Sequence, residues 1–214
     1  LFAKNRLPTG WAFLLAVGWL GYPPLRGAQL YDVHMQPFGM SFTVWAVAMV
    51  DRKKWVGYWV FFAMAIMCRE DVSIGLTMLG ALMVLSGVRI KTGIASMVVA
   101  GLYFLTLRFF IMKNTGFAEI FKDLYPTGEK GFGAVIKTLI SNPGFVAKSL
   151  MTWEKFRYVA QLFAPLAFIP LRRPALWLVF IPAFILTLLS TGYLPTIQTS
   201  FQYISNWSGY AFLA

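Results

Sequence analysis

The feature that most constrains the fold of this chain is a series of apolar runs separated by short charged linkers. Seven runs can be delimited, and a partial one covers 201–214; they lie at 11–25, 37–50, 55–67, 72–88, 93–112, 156–171 and 174–190. Several are shorter than the roughly 20 residues of a straight membrane span, so we expect flanking aromatic residues to extend them. Of the 214 residues, 58% are hydrophobic and 13% charged, whereas soluble domains average about 45–50% and about 25%. The sequence therefore predicts an all-α, polytopic transmembrane helix bundle.

Basic residues in the linkers predict how this bundle is oriented. If every run crosses once, four basic linkers fall on the same side, and they contain Lys4 and Arg6, Arg52 to Lys54, Arg89 and Lys91, and Arg172 with Arg173. The positive-inside rule makes that side the cytoplasm. We expect a multi-pass protein of a bacterial or archaeal cytoplasmic membrane. The net charge of +11 is spread between apolar runs and forms no single stripe, so we expect membrane lipid and no nucleic acid as a partner.

The longest linker, 113–155, lies on the opposite, extracytoplasmic side in this topology. Its apolar residues alternate with lysines, a pattern typical of amphipathic helices in the membrane interface. An ordinary loop packed on the bundle is the alternative. We treat 1–214 as one membrane domain that contains this loop. Because the chain starts at Leu1 and stops inside an apolar run at Ala214, we expect it to be part of a longer protein.

Two short clusters place titratable residues on the extracytoplasmic side, namely Tyr31-Asp32-Val33-His34 and Cys68-Arg69-Glu70-Asp71. Ionisable groups at membrane depth are costly, which makes converging clusters a candidate site. Asp32 is a candidate proton acceptor or metal ligand, and His34 a proton shuttle near neutral pH. The alternative is a loop in which His34 bonds the backbone and Asp32 is solvated.

Glu70 and Asp71 open the run 72–88. Both are candidate catalytic carboxylates. The structural alternative is that they are stabilised by the helix dipole, worth about 0.3–1 kcal/mol, with Asp71 as the N-cap. An Arg69–Glu70 ion pair with a purely structural role is a further alternative.

Three residues are candidates for substrate binding. Arg108 lies about one turn inside the outer end of run 93–112 and can contact a phosphate in bidentate fashion, with Lys113 nearby; snorkelling to the interface is the alternative. Tyr203 belongs to a group of aromatic residues at the last outer boundary. An interfacial aromatic belt is the default interpretation of that group, which also contains Tyr193, Trp207 and Tyr210, and stacking on a sugar is the other.

Short motifs along nearly the whole chain resemble a known family. They are Tyr-Asp-Val-His…Pro-Phe at 31–38, Arg-Glu-Asp-Val with Gly80 at 69–80, Pro-Leu-Ala-Phe-Ile-Pro-Leu at 165–171 and Ile-Pro-Ala-Phe at 181–184. This pattern resembles the membrane proteins of the domain of unknown function 2079 family. Family members often have His-Tyr where this chain has Gln202-Tyr203, which weakens any role for position 202.

That family is similar to the glycosyltransferase C superfamily, whose multi-pass enzymes take a sugar from a polyprenyl-phosphate carrier on the outer face. The resemblance implies a principal catalytic acid in a first outer loop, before this chain begins. Asp32, His34, Glu70 and Asp71 would then support the reaction, bind the acceptor or hold a metal ion such as Mg²⁺ or Mn²⁺. The rival functions are a transporter or flippase, and a non-catalytic membrane subunit.

Overall fold

Helices account for nearly all of the structure, a computed structural model that describes residues 7–31, 33–112, 117–124 and 132–213. No strand occurs among these residues. The α-helices are α1 (Thr9–Gly21), α2 (Pro23–Tyr31), α3 (Met35–Asp51), α4 (Trp55–Cys68), α5 (Glu70–Leu85), α6 (Ile90–Thr106), α7 (Phe132–Ser141), α8 (Pro143–Leu150), α9 (Trp153–Phe163), α10 (Pro174–Ala183) and α11 (Ser205–Leu213). One π-helical turn, Leu107–Ile111, continues α6, and another, Phe184–Leu188, continues α10. Short 3₁₀ segments cover Phe117–Leu124, which is kinked at Phe121, and Ala164–Leu166, Ile169–Arg172, Leu194–Ile197 and Gln202–Ile204.

Helices α3 to α6 run up and down through short turns, as the spacing of the apolar runs predicts. Glycine allows α5 and α6 to approach closely, since a Cβ atom on Gly80 would lie only 2.7 Å from the carbonyl oxygen of Gly93. The Arg89 guanidinium before α6 lies 4.3 Å from the ring centre of Trp55, the first residue of α4. This contact brings two predicted basic linkers, 52–54 and 89–91, to one end of the helices, which we name the basic end.

The two largest apolar clusters of the described residues form most of the core. The first lies among α3 to α6 and includes Tyr58, Phe62 and Leu76. A polar contact also joins these helices, since the hydroxyl groups of Tyr58 and Ser96 lie 2.6 Å apart. The second cluster joins α9, α10 and α11, and its largest members are Tyr158, Phe163, Phe180 and Trp207. Helix α11 thus packs between the group α3 to α6 and the helices α9 and α10.

One helical segment of the described chain is long and apolar enough to cross a membrane by length and composition. It is Ile90–Ile111, with 22 residues and a mean hydropathy of 1.9. Three further apolar helices, Thr9–Gly21, Trp55–Cys68 and Pro174–Leu188, are shorter. At about 1.5 Å per residue, the 17 residues of α3 cover about 26 Å, somewhat less than the roughly 30 Å hydrocarbon core.

Two of the predicted spans are wrong as continuous helices. Run 156–171 is helical only to Phe163, and it then breaks at Pro165 into 3₁₀ turns around Ala167 and Phe168, whose φ angles are 50° and 54°. Run 11–25 breaks at Tyr22, ahead of Pro23, into α1 and α2. Proline lacks the N–H that a continuing helix needs, so both breaks follow from the sequence itself.

Short helices occupy much of the predicted extracytoplasmic loop. The Asn142 side chain accepts a hydrogen bond from the Phe145 backbone N–H and so caps α8. Among the described residues of this segment, Val135 and Val146 are buried in a small apolar cluster with Phe121 and Leu189. The helices predicted in this loop are therefore present, and they pack on the rest of the molecule through one face.

The aromatic belt predicted near the C-terminus is wrong for two of its members. Trp207 is 4% exposed and Tyr210 is 9% exposed, both within the core. The indole N–H of Trp207 donates to the Thr187 hydroxyl at 3.1 Å, so its polar atom is satisfied inside the protein. Tyr193 is 45% exposed and is compatible with an interfacial position.

Candidate functional site

Three helix ends converge on a buried carboxylate at the end of the helices opposite the basic end, which we name the acidic end. Helix α3 begins after His34, whose backbone is extended. Helices α4 and α5 are separated only by Arg69, also extended at φ −166° and ψ 151°. A one-residue connection forces the last turn of α4 and the first turn of α5 to the same level. The antiparallel α3 brings its own first turn there.

Asp71 is the centre of this arrangement. It is 4% exposed, and one of its oxygens, Oδ2, accepts two hydrogen bonds. The Gln36 Nε2 amide donates at 2.6 Å from α3, and the Asn206 Nδ2 amide donates at 3.3 Å from α11. Residues 36, 71 and 206 are far apart in sequence, so this carboxylate joins three separate helices.

Arg69 supplies the charge that compensates Asp71. Its Nε lies 3.4 Å from Asp71 Oδ1, its Nη1 donates to Gln36 Oε1 at 2.9 Å, and its guanidinium lies 5.3 Å from the centre of the Tyr203 ring. Burial lowers the pKa of Arg69, but the carboxylates of Asp71 and Glu70 outweigh that effect and the pKa is raised. We name Gln36, Arg69, Asp71 and Asn206 the Asp71 cluster.

His34 and Glu70 flank the Asp71 cluster and are more accessible than Asp71. Both are half-buried. Glu70 is the first residue of α5, where its carbonyl oxygen accepts the Ser73 hydroxyl, and His34 lies two residues before Gln36. These are therefore the two described titratable candidates that a substrate at the acidic end can reach.

The remaining predicted site residues have different outcomes. Asp32 and Lys113 lie outside the described residues, so their roles stay predictions. Arg108 lies in the π-helical turn after α6, where its Nη1 donates to the Met112 carbonyl oxygen at 2.9 Å. Tyr203 meets the cluster through its ring, which faces Arg69. The structure thus brings Glu70, Asp71 and Tyr203 together around Arg69 and shows Arg108 bound to its own helix end.

One structural alternative for the acids is wrong. Helix α5 begins at Glu70 with Arg69 at the N-cap, so Asp71 does not cap the helix, and its side chain bonds α3 and α11. Both acids lie in the first turn of α5, as the helix-dipole alternative predicts. Arg69 forms a salt bridge with Asp71, and the charge of Glu70 also raises the Arg69 pKa.

Gln36 and Asn206 were missed by sequence reasoning. Amide side chains carry no charge, so they do not stand out in a search for titratable groups. The available signal was position: Gln36 immediately precedes the apolar run 37–50, and Asn206 lies near the start of the partial run 201–214. Buried polar groups need partners, so an amide at the same end as a buried acid is the expected type of partner.

The cluster does not fit a divalent metal ion. Within the described residues, no three His, Cys, Asp or Glu side chains come together. Asp71 Oδ2 faces two amide N–H groups, and Oδ1 faces a guanidinium. These positively polarised N–H groups would point at a bound cation and repel it. Mg²⁺ and Mn²⁺ take oxygen ligands in open coordination positions, and this carboxylate offers none in the described structure.

An apolar groove of about 660 Å³ runs along the other side of α3. It lies between α1, α3 and α11 and is lined mainly by aromatic and aliphatic side chains, among them Phe13, Trp19, Trp45 and Phe212. Its lining begins on α3 at Ser41, five residues after Gln36, which is about 7–8 Å along the helix axis. The groove and the Asp71 cluster therefore share one helix.

Comparison with known proteins gives one match. The family described as "Predicted membrane protein (DUF2079)" matches residues 1–214. Searches of curated proteins and of solved structures find no match.

Proposed function

We propose that this chain, which belongs to this family of predicted membrane proteins over residues 1–214, is a multi-pass membrane glycosyltransferase. In this proposal it takes a sugar from a polyprenyl-phosphate carrier at the extracytoplasmic face. The observation that carries the proposal is the position of a charged cluster beside an apolar groove on the same helix. A lipid-linked sugar has the matching chemistry, with a long apolar chain and a charged phosphate next to the reacting sugar.

Charge distribution supports the orientation. Arg52, Lys53 and Lys54 follow α3 at the basic end, and Arg89 lies next to Trp55 there. The Asp71 cluster lies at the opposite end of the same helices. The positive-inside rule places the basic end in the cytoplasm. The acidic end then faces outward, the side on which the glycosyltransferase C superfamily, to which the sequence shows a resemblance, takes sugars from lipid-linked donors.

The proposed reaction assigns the general base to the accessible acid Glu70 and not to the buried Asp71, and in this it departs from the resemblance, which implies an acid before residue 1. Glu70 accepts the proton of an acceptor hydroxyl group as that oxygen bonds to the anomeric carbon of the sugar. The bond between the anomeric carbon and the phosphate oxygen breaks, and polyprenyl phosphate leaves with the electron pair. Asp71 positions Arg69 through their ion pair, while Arg108 and Lys113 hold the carrier phosphate. His34 lies two residues before Gln36 of the cluster, and Asp32, outside the described residues, stays a candidate proton acceptor.

The test is sugar transfer by the full-length protein in proteoliposomes with radiolabelled polyprenyl-phosphate glucose or mannose and a membrane extract as the acceptor source. We expect Glu70→Gln to lower the release of polyprenyl phosphate by about 10²–10⁴-fold, the usual contribution of a general base. Glu154→Gln is the matched control, because Glu154 is an exposed acid in the first turn of α9.

Equal rates for the Glu70→Gln variant and the unaltered protein would refute the role of Glu70. Accumulation of labelled donor or sugar inside the vesicles without any covalent product would identify a transporter or flippase instead. In that case the buried charges would belong to a translocation path.

A further inference from the structure

A small cavity adjoins the Asp71 cluster. Its volume is about 20 Å³, and its polar walls come from Gln36, Asp71, Ser205, Asn206 and Tyr210. A buried water needs about 10–15 Å³ of such space and typically makes about three hydrogen bonds. The cavity therefore accommodates one water molecule, and it is too small for a sugar or a phosphate group.

Two buried oxygen atoms at this cavity lack a hydrogen-bond partner among the described residues, Asp71 Oδ1 and Ser205 Oγ. Both residues are almost fully buried, with 4% and 3% exposure. Leaving a buried polar atom unsatisfied costs about 1–3 kcal/mol. Two such atoms on the wall of one water-sized space point to a shared ligand.

The polar groups on the cavity walls favour water over a cation as the ligand. A monovalent cation would lie beside a carboxylate whose Oδ1 is already 3.4 Å from the Arg69 guanidinium, and amide N–H groups of Gln36 and Asn206 bond the other oxygen. Water can donate to Asp71 and also donate to or accept from a hydroxyl group, so it meets both needs at once.

We propose that the cavity is a binding site for a single ordered water molecule. This water donates to Asp71 Oδ1 and bonds Ser205 Oγ, and the Tyr210 hydroxyl is within the same lining. It links α5 to the first turn of α11 in parallel with the direct Asn206 bond. The inference depends on the geometry of the cluster and not on the proposed transferase activity.

Radiolytic labelling tests this site, because X-ray pulses generate hydroxyl radicals from bound water and oxidise side chains next to it. Met40 lines the cavity and is 5% exposed, whereas Met83 is 4% exposed in the apolar cluster between α3 and α6. In the full-length protein in lipid nanodiscs, we expect Met40 to be oxidised several-fold faster than Met83, as measured by mass spectrometry of the peptides.

The variant Ser205→Val removes the hydroxyl group and fills the space with an added methyl group. We expect oxidation of Met40 to fall to the rate of Met83, with Met83 itself unchanged as a sign of intact packing. Equal rates for the two methionines in the unaltered protein would overturn the proposal. Fast Met40 oxidation that persists in a folded Ser205→Val variant would overturn it as well. If that variant does not fold, the comparison of Met40 with Met83 in the unaltered protein decides alone.

Discussion

Replacing Asp71 by asparagine is expected to lower the free energy of unfolding by about 3–5 kcal/mol, the usual cost of breaking a buried ion pair from one side. The substitution keeps the shape of the side chain and removes its charge. Arg69 is then left in a largely buried position without its ion-pair partner, while Gln36 and Asn206 lose a charged acceptor for their amide N–H groups. SDS-induced unfolding of the purified protein in mixed micelles measures the effect.

The matched control is Glu70→Gln, one residue earlier in the same helical turn. Glu70 is half-buried, so we expect its neutralisation to change the unfolding free energy by less than about 1 kcal/mol, as for other solvent-accessible charges. If the two variants were equally stable, Asp71 would not be the residue that organises the acidic end. The same pair separates stability from activity, since the proposed reaction uses Glu70.

The second large effect is expected from Trp207→Ala, at about 3 kcal/mol or more. Trp207 packs against Phe163 and Phe180 with ring centres 5.7 Å and 5.6 Å away, and its N–H is bonded to Thr187. Truncation leaves a cavity between α10 and α11 and removes the indole donor to the Thr187 hydroxyl, which keeps its own hydrogen bond to the Ala183 carbonyl oxygen. In lipid, packing is a major part of helix association, so the loss of contacts dominates the effect.

Trp11→Ala is the control for Trp207→Ala because Trp11 is 65% exposed on α1. Its truncation removes few protein contacts, and we expect a shift within about 0.5 kcal/mol, as for other surface substitutions. The same SDS titration compares the two variants. A Trp207→Ala variant as stable as Trp11→Ala would restore the interfacial-belt interpretation that the structure contradicts.

The sequence could predict that the two acidic clusters lie at the same end of the helices, because this depends only on the number of apolar runs between them. Apolar runs of similar length that alternate with basic turns bring every second linker to the same level. The 2.6 Å bond between Gln36 and Asp71 places the start of α3, just after the first cluster, beside the second cluster. The individual partners could not be predicted, since the pairing of residues 71 and 206 depends on how α11 packs between distant helices.

The errors in the predicted spans have a different cause. Hydropathy over 156–171 is high, which predicts a span. Pro165 and Pro170 nevertheless interrupt the helix, and a prediction from apolar composition does not take this effect of proline into account. The group around Tyr203 was assigned to one interface because its members are close in sequence. Helix α11 instead turns Trp207 and Tyr210 inward to the same core cluster, while the rings of Tyr193 and Tyr203 pack on each other with centres 6.1 Å apart.

The central claim is that the acidic and basic ends of α3, α4 and α5 lie on opposite sides of a membrane. In a Cys68→Ser background, single cysteines at two exposed positions of the acidic end, Val33→Cys and Met67→Cys, are compared with Lys54→Cys and Ser86→Cys at the basic end. Reaction of intact cells with a membrane-impermeant maleimide is the measurement. We expect labelling at positions 33 and 67 in intact cells, and at positions 54 and 86 only after permeabilisation. Labelling of position 33 and position 67 from opposite sides would contradict the account.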